Sequence, residues 1–229
     1  MRPLLIGTVA ISVFTLVIAS CAHSRAPAPS ATPTKSPAVA HTVVNPASIK
    51  RVVGDLPPHY EVSTNIPAIA SPPVIWGVKP DGTTKPPQCA ALADPGSGRD
   101  HTAQGVSGSG AGGIVDAVVV TLPGPVELDR NDFAGCGRWT MTDAHTTAVV
   151  RLIDAPHIDG AETLGMVVDT KSSVESGTEI DSRVYTFTAY LGSYYAFTTL
   201  TADPGSALPG LPPQFAADLL VKTVSALRS

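Results

Sequence analysis

The chain has 229 residues, a formal charge of −4, 15% charged and 43% hydrophobic residues, 22 prolines, 20 glycines and three cysteines. That is enough apolar material for one core of ordinary size, which excludes wholesale disorder. The acidic balance and the lack of any Lys/Arg run exclude a nucleic-acid binder, whose phosphate contacts need a basic face.

The N-terminus bears on the compartment. Met1-Arg2 supplies a minimal positive start, and Leu4 to Ala19 is an uncharged, mostly apolar stretch of 16 residues. A spanning helix needs ~20 apolar residues, so this stretch reads as the core of an export signal. It ends in Ile18-Ala19-Ser20-Cys21. These residues resemble the bacterial lipobox: an aliphatic residue, two small ones next to the scissile bond, and a Cys whose thiol takes a diacylglyceryl group. The competing readings are an ordinary secretory signal and a short uncleaved anchor. The lipobox reading makes residues 1–20 a signal peptide and Cys21 the lipidated first residue of the mature chain. More than one acyl chain makes such an attachment stable, at ~0.8 kcal/mol per buried CH₂. Residues 22–44 are dominated by Ala, Pro, Ser and Thr without an aromatic residue, so 21–44 reads as the lipidated Cys and an extended tether.

The folded domain is expected over 45–229. Asn45 suits an N-cap, Pro46 the first helical position and Gly54 a stop, with Ile49, Val52 and Val53 as an apolar stripe. A Pro-rich stretch from Leu56 to Pro80 carries a strand near His59–Ser63 and ends in the turn Pro80-Asp81-Gly82. Pro86-Pro87 opens a short helix through Leu92, closed by Asp94-Pro95-Gly96. Ile114–Leu122 is almost continuous Val and Ile, as expected of a central strand covered on both faces. Arg138–Thr142 and Thr146–Ile153 form a hairpin around Asp143-Ala144-His145, followed by an alternating run at Thr163–Asp169. Val184–Leu191 and Tyr194–Thr201 flank Gly192-Ser193, whose leading Gly fits a type II′ turn. Pro213–Arg228 closes the chain as a helix with the stripe Ala217, Leu220, Val224 and Leu227. The sum is a single α+β domain, a mainly antiparallel sheet packed by a C-terminal helix and short N-terminal helices.

With Cys21 assigned to lipid, Cys89 and Cys136 remain, and outside the cytoplasm a structural disulfide is the expected pairing. A metal pair or a reactive thiol is the alternative, but two cysteines lack the further ligands of a zinc site and no Cys-x-x-Cys occurs.

Catalytic chemistry is thinly represented. Gly108-Ser-Gly110-Ala-Gly-Gly113 spells G-x-G-x-x-G but precedes a strand, where a dinucleotide loop should follow one. No nucleophile elbow, P-loop, H-E-x-x-H or EF-hand pattern is present. Asp154-x-x-His157-x-Asp159 is the one cluster that could chelate, and it sits in a polar loop. The chain has 12 aromatic residues, of which six fall between Tyr185 and Phe197. One face of that hairpin carries Thr186, Thr188, Tyr190, Tyr195, Phe197 and Thr199. It is either a ligand platform, with Trp76 as a further exposed aromatic, or the underside of another layer. The candidate ligand residues are therefore Tyr190, Tyr195, Phe197 and Trp76. No catalytic residue, metal or cofactor is expected.

Several phrases together resemble a family of mycobacterial lipoproteins defined only by a domain of unknown function. They include Arg51-Val-Val-Gly-Asp-Leu-Pro-Pro-His-Tyr60, Pro86-Pro-Gln-Cys-Ala-Ala-Leu-Ala-Asp-Pro95, Cys136-Gly-Arg-Trp-Thr140, Thr186-Phe-Thr-Ala-Tyr-Leu-Gly192 and Phe215–Leu227. The family brings no catalytic residues. A fainter likeness to extracytoplasmic sensor domains of actinobacterial receptor kinases implies an antiparallel sheet packed by helices. The functional expectation is a lipid-anchored protein at the extracytoplasmic face of the cell membrane. It would be a non-catalytic module that binds or senses an envelope lipid, glycan or protein. An envelope hydrolase without a recognisable motif, drawing on Asp154, His157 or Asp159, is the alternative.

Overall fold

The computed structural model describes residues 43–66, 71–128, 131, 134–174, 177–202 and 209–229. The signal peptide, Cys21 and most of the tether lie outside the described residues. Nine strands form one antiparallel sheet: β1 (Glu61–Ser63), β2 (Thr83–Lys85), β3 (Thr102–Gly110), β4 (Gly113–Thr121), β5 (Arg138–Thr142), β6 (Thr146–Ile153), β7 (Glu162–Ser173), β8 (Glu179–Tyr190) and β9 (Tyr194–Thr201). Their order across the sheet is β1-β3-β4-β9-β8-β7-β6-β5-β2. Among the described residues three α-helices accompany them, α1 (Pro72–Ile75), α2 (Ala90–Ala93) and α3 (Pro213–Leu227), with 3-10 helices at Pro46–Asp55 and Pro87–Cys89. The expected α+β domain is the one observed.

Strand alternation sorts the side chains onto two covered faces. On β4, Ala117 and Val119 point to one face while Val118 and Val120 point to the other, and all four are buried. That double covering is why the strand reads as a nearly unbroken apolar run. The first face is packed by α3 and by the 3-10 helix Pro46–Asp55, through Ala217, Leu220, Val224 and Leu227 with Ile49 and Val52. Asn45 caps that helix, its Oδ1 accepting from the Ala47 N–H at 3.1 Å. Its own N–H donates to the Leu227 carbonyl at 2.8 Å, so the first and last elements lock each other onto the sheet.

The second face is packed by residues 71–98. Trp76, which caps α1, and Leu92 of α2 lie in one buried cluster with Val118, Val120, Trp139, Met166 and Phe197. Cys89 and Cys136 form a disulfide and are both fully buried, which ties α2 to the segment leading into β5. The layer is short in regular structure, so this covalent tie does what a longer helix would do by packing.

Most sequence-derived elements fall within a few residues of those observed, but two strands do not. β3 lies in a segment for which the sequence predicts no strand, its glycines spelling a loop-like motif ahead of the next one. The glycines are instead part of the strand, and the phenol ring of Tyr60 lies over Gly108 and Gly110. The Tyr60 hydroxyl accepts from the Gly112 N–H at 3.0 Å in the turn between β3 and β4. Glycine occurs where another ring occupies the space a side chain would need. β2 is the other strand not anticipated, a three-residue edge strand ended by Pro86. At the β8–β9 turn, Gly192 has φ +71° and Ser193 has no positive φ, the combination of a type II′ turn.

Candidate functional site

The residues proposed as an aromatic ligand face are not open to solvent. Tyr190 is 6% exposed, Trp76 3%, and Tyr195 and Phe197 are fully buried. Tyr195 and Phe197 are stacked with ring centroids 6.1 Å apart. Trp76 lies across the hairpin, its indole N–H donating to Thr186 Oγ1 at 2.9 Å. The Thr/Tyr face is thus the underside of the layer formed by residues 71–98. The physical reason is the disulfide-tied layer itself, which the local sequence of the hairpin does not reveal. Burial raises the ionisation of both Tyr190 and Tyr195 well above the ordinary phenol value, so their hydroxyls act only as hydrogen-bond groups.

Around that layer a cleft of about 350 Å³ opens between α1, the Lys79–Gly82 turn, α2 and the start of β3. Its apolar wall is Pro73, Val74, Val78 and Met141. Its polar wall is Asp94, His101 and Ser71. Asp94 follows α2, where the Asp94-Pro95-Gly96 turn closes the helix as the sequence suggests. Its Oδ1 accepts from the Gly96 N–H at 3.1 Å and from the Tyr195 hydroxyl at 3.4 Å. Burial pushes the Asp94 carboxyl above its usual 3.8, against the opposing pull of Gly96, His101, Ser71 and Tyr195. The buried Tyr195 therefore reaches this cleft through Asp94 and not through its ring.

His101 sits just before β3. Its Nδ1 is 3.0 Å from the Arg99 carbonyl. A carbonyl oxygen only accepts, so Nδ1 carries a proton and donates. Nε2 is buried and has no hydrogen-bond partner among the described residues. Sequence reasoning missed both polar groups. Asp94 read as turn chemistry, and His101 belongs to no spaced motif.

The loop cluster takes a different form from a site. His157 Nε2 lies 3.1 Å from Asp159 Oδ1, with the two side chains 90% and 100% exposed. Asp154 is also exposed. Among the described residues no group of three or more His, Cys, Asp or Glu side chains could hold a metal ion.

A second buried carboxylate stands on the sheet itself. Asp116 of β4 is 7% exposed, and its Oδ2 accepts from the Thr199 hydroxyl at 2.7 Å. Burial raises its carboxyl above the usual value, with Ser107 and Thr199 opposing. It pairs within the sheet and does not line the cleft.

Among known families, the profile of the family described as "Domain of unknown function (DUF5642)" matches residues 45–228. The chain belongs to that family. The family match spans the sheet, both covering layers and the cleft. No curated protein matches the sequence. Among solved structures, the X-ray structure of an uncharacterized protein (the Rv0999 ortholog) from Mycobacterium smegmatis is similar to this chain. It has a TM-score of 0.61 at 19% identity, covering 83% of this chain and 100% of that one. That likeness shows a shared fold. The crystal structure of the extracellular domain of PknH from Mycobacterium tuberculosis is more distant, with a TM-score of 0.45 at 14% identity, covering 81% of this chain and 92% of that one.

Proposed function

We propose that this member of the family is a non-catalytic binding or sensing module, held by lipid on Cys21 at the extracytoplasmic face of the cell membrane. Its ligand site is the cleft beside Asp94 and His101. The observation that carries the binding reading is the make-up of that cleft, which sets an apolar wall of Pro73, Val74, Val78 and Met141 beside Asp94, whose carboxyl burial raises above its usual value. Small apolar clefts with a few convergent polar groups and a perturbed carboxyl are where ligands bind.

Anchoring is supported by Ile18-Ala19-Ser20-Cys21 behind an apolar stretch, and the extracytoplasmic location by a buried disulfide that suits an oxidising compartment. The non-catalytic reading is supported by how the cleft is wired. An activated nucleophile needs a base within hydrogen-bond reach and a third group orienting that base. Here His101 Nδ1 faces a backbone carbonyl, and among the described residues its Nε2 reaches no hydroxyl. For the hydrolase alternative, exposed His157 and Asp159 line none of the clefts that Asp154 borders, so the three do not converge on one site. The partner class remains an envelope lipid, glycan or protein, and nucleic acid is disfavoured by charge.

Native mass spectrometry of the full-length gene product, purified in detergent from its own membranes, tests both parts. A mature chain beginning at an acylated Cys21 is expected, with a retained ligand that the cleft-filling variant Ala90→Phe displaces. An unmodified Cys21 overturns the anchoring. Ligand-free protein, unchanged by Ala90→Phe, overturns the binding reading.

A further inference from the structure

We infer that the basic, acid-free stretch between Cys21 and Gly54 is a second membrane contact, whose folded end, Lys50 and Arg51, rests on an anionic phospholipid surface. This rests on the anchoring reading above and adds an orientation to it. Charge is distributed unevenly along the chain. All nineteen Asp and Glu lie in residues 55–229 together with ten of the fifteen Lys and Arg, a formal charge of −9. Residues 21–54 hold four more, Arg25, Lys35, Lys50 and Arg51, and no acid, while Arg2 belongs to the signal peptide. A chain divided in this way is drawn to an anionic surface at one end and repelled by it elsewhere. The positive end is also the end that carries Cys21.

Two of those four charges are held where a surface can reach them. In the 3-10 helix Pro46–Asp55, Ile49 and Val52 are buried, while Lys50 and Arg51 between them are exposed. Among the described residues neither is paired with a carboxylate. Arg51 Nη1 donates to the neutral Ser229 Oγ at 2.6 Å. Asp55, the first acid in the chain, is held by Lys222 Nζ at 3.1 Å, and Arg228 Nη1 donates to the carbonyl of the exposed Asp159 at 2.6 Å. The bond from the Asn45 N–H to the Leu227 carbonyl fixes the point where the chain enters the domain, next to the exposed Val43. The two free cations and that entry point thus belong to one element. This helix covers one face of the sheet, and the cleft borders the layer on the other. Contact through Lys50 and Arg51 therefore turns the cleft away from the bilayer, toward ligands of the envelope.

The acylated full-length gene product, purified from its own membranes, is placed on vesicles of phosphatidylcholine alone or with phosphatidylglycerol. Its lysines are then labelled with an amine-acetylating reagent and read by mass spectrometry. Phosphatidylglycerol should slow the labelling of Lys50 several-fold, since each Lys or Arg near such a surface favours the docked state by a factor of about five. The exposed Lys79 at the cleft and Lys85 on β2 should be labelled equally on both vesicles. Raising salt from about 0.1 M to about 1 M shortens the screening length from ~10 Å to ~3 Å and should remove the difference. Arg51→Gln should weaken the docked state about fivefold and return Lys50 toward its labelling on phosphatidylcholine. Arg25→Gln with Lys35→Gln, ahead of the folded domain, should do the same, and this pair carries the test should Arg51→Gln unfold. Equal labelling of Lys50 on the two vesicles overturns the inference. So does protection shared evenly by Lys79 and Lys85, or protection that survives high salt or the folded variants. If Cys21 proves unmodified, the anchoring reading falls, and the same labelling of the unacylated chain added to vesicles decides the surface contact by itself.

Discussion

Reducing the Cys89–Cys136 bridge should destabilise the domain by about 4 kcal/mol and loosen the cleft before the sheet. The two cysteines are 47 residues apart in sequence, and both are fully buried. Closing a loop of that length removes enough unfolded-state entropy to supply about 4 kcal/mol at 25 °C. For a domain of this size each kcal/mol moves the melting temperature by roughly 2–4 °C, so the shift should be about 8–16 °C. Truncating either cysteine would also leave a cavity, so the informative comparison uses one sequence. Protein refolded with and without a phosphine reductant is melted by circular dichroism, and both forms are followed by native-state hydrogen exchange. The bridge fastens α2, and α2 leads into Asp94 and one wall of the cleft. Amides of residues 89–96 should therefore lose protection on reduction while those of β7 and β8, which pair over 12 positions, keep theirs. A melting shift under about 3 °C would refute the entropic argument. Protection lost from β7 and β8 with α2 unchanged would refute the assignment of the bridge to the covering layer.

Two smaller perturbations probe the local reasoning. Gly110→Ala places a methyl group against the Tyr60 ring and should cost about 1–3 kcal/mol by overpacking; denaturant titration of this variant, of Tyr60→Leu and of the pair should show the double variant costing less than the sum. Asp143 accepts from the Lys79, His145 and Thr146 N–H groups, each at 2.7 Å, fixing the β5–β6 turn and the cleft's Lys79. Burial pushes its carboxyl up, but those bonds and the Lys79 charge outweigh it and hold the carboxyl below 3.8. Its stabilisation is thus present above pH 3.8 and lost as pH falls through the lower folded-state value. Asp143→Ala should cost about 1–3 kcal/mol at pH 7, reduced by solvent screening, and should flatten the acid limb of stability against pH.

What the sequence made legible was whatever local chemistry decides. Gly192-Ser193 with Tyr and Thr on either side specifies its own hairpin, and Tyr194–Thr201 is observed as read. Ala217, Leu220, Val224 and Leu227 specify a helix face that is then buried. β3 was illegible for the opposite reason. Thr102–Gly110 has three glycines and one Val, so its strand character comes from neighbours. Ala117 O and Ile66 crowd Gly105, and Tyr60 covers Gly108 and Gly110. Asn45 and Pro46 marked a helix start correctly, yet the turn they begin is 3-10 and not α.

The same contrast explains why the aromatic hairpin pointed to the wrong surface. Alternation tells which side chains share a face, but it cannot tell whether a second layer covers that face. Here the cover is residues 71–98, irregular and Pro-rich, and a disulfide holds it in place. A cover of that kind converts Tyr195 from a ligand contact into a support. Its ring packs on Phe197, and its hydroxyl reaches the Asp94 carboxyl at the cleft. The ligand surface then moves from the sheet to the border of the cover, where α1, α2 and the chain before β3 meet. Asp94 and His101 are seven residues apart in ordinary turn sequence. Only the cover makes them neighbours in a cleft, so a site of this kind is a property of tertiary packing and carries no motif.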